Sequence, residues 1–169
     1  MDQTALYEED IYAWSRHQAA VLRRMAENRA ALPDDLDLEH VAEEIEEVGN
    51  EQRHAVESSL VQLLAHLITI VALPGDQSVR HWTKEANALL DTAESRYRPS
   101  MRRVLDPARL WTRACRLATR DLETDGLAAP PLPQQCPFGL EELVGGEADP
   151  RDLAARLVAA VAGAGQGGI

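Results

Sequence analysis

Aromatic side chains are scarce in this sequence: one Phe, three Trp and three Tyr in 169 residues. Aliphatic side chains must fill the core, and base-stacking platforms for single-stranded nucleic acid have little support. Cysteine is scarcer still. Cys115 and Cys136 are the only two, and their spacing fits no zinc pattern. Cys115 falls on the apolar face of a predicted helix and reads as a small buried side chain. Positive charge is in deficit, with a formal net charge of −11. That argues against general nucleic-acid binding, because phosphates need a positive surface. The most apolar run, Leu60 to Leu73, is about 14 residues long and contains Gln62 and His66, too short and too polar to span a bilayer. The N-terminal MDQTALYEED is acidic where a signal peptide is basic and then apolar, so a cytoplasmic protein with no membrane association is expected. There is no internal repeat, Gly-rich phosphate loop, nucleophile elbow or Cys/His pair. No catalytic residue can be named, and neither metal nor cofactor is expected.

What is abundant is helix-forming: Ala, Leu, Glu and Arg dominate, while Ile, Thr, Tyr and Phe are few. Tyr7, Ile11, Trp14, Val21, Leu22 and Met25 recur near helical spacing and predict one helix from Thr4 or Tyr7 to Arg29. LPDDLD follows as a link, with Asp37 as the next cap. From Leu38 to Leu73 an apolar stripe of Val41, Ile45, Val48, Val56, Leu60, Leu63, Leu67 and Ile70 lies opposite a dense acidic face. The stripe keeps its phase across Gly49, so one long central helix is expected there, ended by Pro74-Gly75-Asp76. Ser78 is read as the cap of a helix to Tyr97 that turns Val79, Trp82, Ala86, Leu89, Leu90 and Ala93 inward. Pro99 ends it, and a short helix from Ser100 to Leu105 is expected next. Asp106-Pro107 opens a helix to Thr124, the APPLPQQCPFG segment is extended, and Asp149 caps a last helix. The expected fold is an all-α helical bundle with a long central helix and a short irregular C-terminal segment. The bundle domain spans 1–145, with a helical extension, frayed from Gly163, over 146–169. A domain of this length hides roughly 70% of its unfolded surface.

Several stretches together resemble the bacterial family called domain of unknown function 29. They are YEEDIYAW at Tyr7–Trp14, HVAEEIEEVGNEQR at His40–Arg53, LVQLLAHL at Leu60–Leu67, Trp82, the helix Leu110–Leu122 and CPFGLEELV at Cys136–Val144. KEANALLD after the tryptophan carries less Arg and Gln than that family pattern, and the tail from Gly145 extends beyond it. The resemblance implies an all-helical cytosolic bacterial protein and supplies no activity.

Two constellations stand out against solvated faces. His66 sits on the shoulder of the stripe with Ser59, Gln52 and Glu44, a polar seam able to hold a small ligand or serve as a structural network. Arg109, Arg113, Arg116 and Arg120 fall on one narrow helical stripe, a candidate face for an acidic partner. Glu51-x-x-His54 has the spacing of a di-metal carboxylate motif but lacks a second copy, Asp37-x-x-His40 being its nearest relative. Glu43, Glu44, Glu46 and Glu47 read as a solvated acidic face, and Ser58-Ser59 has no base beside it. Residues 1–60 hold 15 acids against 5 bases, whereas 78–120 hold 10 bases against 4 acids. The expectation is a protein-interaction module, with a protein partner or a second copy of the chain. The competing expectations are a metal- or ligand-binding enzyme at His66 and a nucleic-acid regulator using the arginines.

Overall fold

The structure, a computed structural model, describes residues 3–28, 32–33 and 35–164. Its elements, in chain order, are α1 (Gln3–Glu9), α2 (Ile11–Glu27), α3 (Leu38–Ala72), α4 (Val79–Arg96), a 3-10 turn (Pro99–Arg103), α5 (Pro107–Thr124), α6 (Leu140–Val144) and α7 (Pro150–Ala164). Among the described residues all regular structure is helical, and the all-α expectation holds. Arg29, Asp34 and residues 165–169, which carry the predicted first-helix end, part of the link and most of the frayed tail, lie outside the described residues.

The chain forms two compact units, residues 1–55 with 96–103 and residues 56–95 with 104–169. This division differs from the expected boundary at 145. Helix α7 goes with the second unit because Pro150, Leu153 and Leu157 are buried there.

In the first unit the expected single N-terminal helix is two. Asp10 breaks it with an extended φ of −145° and caps α2, its carboxylate accepting from the Ala13 N–H at 2.9 Å. The same carboxylate accepts from the Ser100 hydroxyl at 2.7 Å and the Ser100 N–H at 3.3 Å, tying the 3-10 turn to the cap. Tyr7 and Trp14 meet edge to face across the break, ring centres 4.8 Å apart. Helix α3 runs unbroken through Gly49, as its phase implied. Gly49 is buried, and a β-carbon there would overlap Ser15 Oγ on α2 and lie 3.3 Å from the Tyr12 Cα.

The valine part of the stripe is corrected. Val41 is 39% and Val48 44% exposed, while Leu38, Ala42 and Gly49 are buried instead. Small side chains let α2 approach on that side, leaving the neighbouring side, with the valines, uncovered.

In the second unit α3 is buried around most of its circumference. Val56, Leu60, Leu63 and Leu67 are inward as expected, and so are Val61, Leu64, Ala65 and Ile68. Each fully buried Leu or Ile contributes about 1.5–3 kcal/mol. By length and composition α3 is long and apolar enough to cross a membrane, more than its 14-residue run suggested, yet half of its most apolar window is buried within the protein. Asp106 caps α5 by accepting from the Ala108 N–H at 3.0 Å, with Pro107 in the first turn. Ser78 stands just before α4 as expected, its carbonyl accepting from the Trp82 N–H at 2.9 Å, and the Asp76 carboxylate braces it by accepting from the Ser78 N–H at 2.7 Å. Trp111 is buried and donates its Nε1–H to the Pro133 carbonyl at 2.8 Å, fastening the proline-rich segment to α5.

Candidate functional site

Helix α5 is strongly two-sided. Leu110, Trp111, Ala114, Ala118 and Leu122 are buried, and Arg109, Arg113, Arg116 and Arg120 are exposed on the other side. The spacing of 4, 3 and 4 places the arginines in one ladder along the helix. Arg113 Nη1 lies 3.5 Å from Glu57 Oε2, and Arg120 Nε lies 3.8 Å from Asp121 Oδ1. Among the described residues Arg109 and Arg116 make no ion pair. Beside the ladder runs a hollow of about 330 Å³ lined by Val61, Leu117, Arg113, Arg116 and Arg120. It joins a second hollow of about 570 Å³ through Val61, Arg113 and Leu117, whose walls add Ser58, Gln62, Ala65, His66, Thr69, Trp82, Asp121 and Asp125. Together they make an open groove whose walls mix Val61, Ala65 and Leu117 with Trp82, three arginines and the Asp121 and Asp125 carboxylates.

His66 is half-buried on the groove wall. Its Nε2 is 3.4 Å from Glu85 Oε2 on α4, and His81 Nε2 is 3.2 Å from the other oxygen of the same carboxylate. Burial lowers the His66 pKa, His81 adds to that, and Glu85 and Asp121 oppose it. The imidazole is therefore held toward its neutral form at neutral pH. Among the described residues no group of three or more His, Cys, Asp or Glu is arranged to hold a metal ion.

The polar seam expected around His66 does not assemble as drawn. Glu44 is exposed, Gln52 half-buried, Ser59 buried and His66 half-buried, and no hydrogen bond joins the four. Glu44 and Gln52 lie in the first unit, Ser59 and His66 in the second. The helical phase was right, but the elements that face it differ along the helix, so His66 finds Glu85 rather than its own shoulder. The arginine ladder does assemble. Glu51 and His54 are exposed. Of the acidic run, Glu46 turns toward α2 and takes Arg23 at 2.7 Å and Arg16 at 3.5 Å.

Three residues were missed. Glu57 is only 9% exposed and neutralised in part by Arg113. Its signal was a second apolar ridge, Val61, Leu64 and Ile68, on whose line it falls. Glu85 reaches His66 from α4 and Asp121 of α5 acts on it electrostatically across the same hollow, and no spacing in the sequence reveals that. Cys115 is half-buried rather than fully buried, and burial pushes its thiol pKa up to about 11, with the nearby Cys136 adding to the rise. Neither cysteine is a ready nucleophile.

The family model for domain of unknown function DUF29 matches residues 6–147. The chain belongs to the DUF29 family. The extension seen in the sequence beyond Gly145 agrees with where that match ends. A solved structure is similar to this DUF29 chain over 89% of its length and 96% of the other's, with 30% identity and a TM-score of 0.83. It is described as an alpha-helical protein of unknown function from Rhodospirillum rubrum ATCC 11170. No curated protein matches the chain. The CPFGLEELV stretch of this DUF29 protein buries Phe138, Leu140, Leu143 and Val144. Arg156 of α7 pairs with Glu142, lies 5.3 Å over the Phe138 ring and donates to the Pro137 carbonyl at 3.3 Å. That motif is structural: it fastens the C-terminal helix.

Proposed function

We propose that this protein is a non-catalytic, cytoplasmic interaction module whose α5 groove receives an acidic amphipathic helix. The observation that carries this reading is the arginine ladder exposed above Val61 and Leu117 in a chain of net charge −11. Cations concentrated on one face of an acidic protein, beside an aliphatic hollow, fit a partner with glutamates flanking apolar side chains. A synthetic helical peptide of leucine and glutamate, titrated into the protein by isothermal calorimetry, tests the reading. Binding should weaken with salt and fall sharply in Arg116→Glu/Arg120→Glu. Binding that ignores both salt and this substitution, or no binding at low salt, would end it.

A second reading has its own observation: half-buried His66, held toward neutrality beside Trp82 in the 570 Å³ hollow, suits a small polar ligand or a metal-assisted site. Stoichiometric metal in purified protein, lost in His66→Ala, would favour it. Metal-free protein whose His66→Ala variant differs only in stability would count against it.

A further inference from the structure

The first unit carries the complement of the groove. On α3, Val41 and Val48 stand one heptad apart and exposed, and Glu44, Glu47 and Glu51 form a ladder beside them, all exposed. Glu44 and Glu51 make no hydrogen bond or ion pair among the described residues. The intervals in this acidic ladder are three and then four residues. The intervals in Arg113, Arg116 and Arg120 are also three and then four. Each ladder therefore spans seven residue steps, about 10.5 Å of helix, and the charges match pair by pair when the two helices run the same way. The valines on the acidic side correspond to the hollow lined by Val61 and Leu117 on the basic side.

Resting on the docking reading above, we propose that the groove's partner is a second copy of this chain. Glu44, Glu47 and Glu51 of one copy meet Arg113, Arg116 and Arg120 of the other, and Val41 and Val48 enter the aliphatic hollow. A contact of acidic face on acidic face between copies is disfavoured by like charge, so the pairing joins two different surfaces. Three charge pairs and two valines make a contact that is largely electrostatic, so the association is sensitive to salt.

Sedimentation of the full chain tests this. The wild-type mass should rise with concentration at low salt and return to that of a monomer at high salt. Arg116→Glu/Arg120→Glu and Glu44→Arg/Glu51→Arg should each weaken association at least about tenfold, and an equimolar mixture of the two should restore it. Arg113 is left intact because it neutralises Glu57. Should either double variant fail to keep the wild-type helical signal, the single changes Arg116→Ala and Glu44→Ala replace it, and each must still weaken association. A wild type that stays monomeric at low salt overturns the proposal, as does a mixture that stays monomeric while wild type associates. If the leucine–glutamate peptide still binds a monomeric wild type, only the identity of the partner is lost. If it does not, the docking reading falls with it.

Discussion

Ser15 on α2 occupies the space that a β-carbon on Gly49 would need, so the long helix α3 keeps a glycine in its middle to let α2 approach. Glycine at that position costs about 1 kcal/mol relative to alanine in helix propensity, so Gly49→Ala should stabilise an isolated helix. In the protein the sign reverses. Ser15 is fully buried and donates to the Tyr12 carbonyl at 3.1 Å, and the Tyr12 backbone is the other near neighbour. Turning the Ser15 hydroxyl away relieves only part of the overlap. Gly49→Ala should lose about 1–3 kcal/mol in chemical denaturation, and Ser15→Ala added to it should recover part of the loss. A Gly49→Ala variant as stable as wild type would refute this close approach.

Asp10 performs two tasks with one carboxylate, capping α2 and holding Ser100. Asp10→Ala should cost about 1–3 kcal/mol in thermal or chemical unfolding, more than a cap alone, and Ser100→Ala about 1 kcal/mol. The two losses should not add, because both remove the same bond. Equal losses that sum in the double variant would show that the Ser100 contact contributes nothing.

How far these features could be read in advance depends on what fixes them. Periodicity found the helices, the continuity through Gly49 and the Asp106-Pro107 start, since each is written in adjacent residues. It misplaced Val41 and Val48 because spacing says which side chains share a face and not which face a neighbour covers. It joined α1 to α2 because the break at Asp10 is stabilised by Ser100, ninety residues away. The arginine ladder was legible for the opposite reason: exposed charges on one helix need no distant partner to be recognised. The partner of His66 was hidden, because Glu85 belongs to another helix.

His66 should leave a signature in the pH dependence of stability. Burial holds its folded pKa below the ordinary 6.5, so in the window beneath 6.5 the unfolded chain binds a proton that the folded chain refuses. Stability should therefore fall as pH drops from 6.5 through that lower folded value, and then level off. His66→Asn removes the titrating group and should flatten this part of the profile. His40 acts with the opposite sign, because Asp37 raises its pKa: its contribution is present below 6.5 and lost as pH rises through the raised value. Fully exposed to solvent, it is screened and does not mask the larger trend. A profile unchanged by His66→Asn would show that the imidazole is as well solvated folded as unfolded.

The docking claim is tested most directly at the guanidinium groups themselves. Nuclear magnetic resonance of the arginine Nε–H groups, recorded as the leucine–glutamate peptide is added at low salt, resolves which arginines meet acid. The Arg113, Arg116 and Arg120 signals should move together and saturate, while Arg23, already bound to Glu46 at 2.7 Å, stays in place. Uniform small movements in all arginines, or movement of Arg23 without the α5 ladder, would contradict the account.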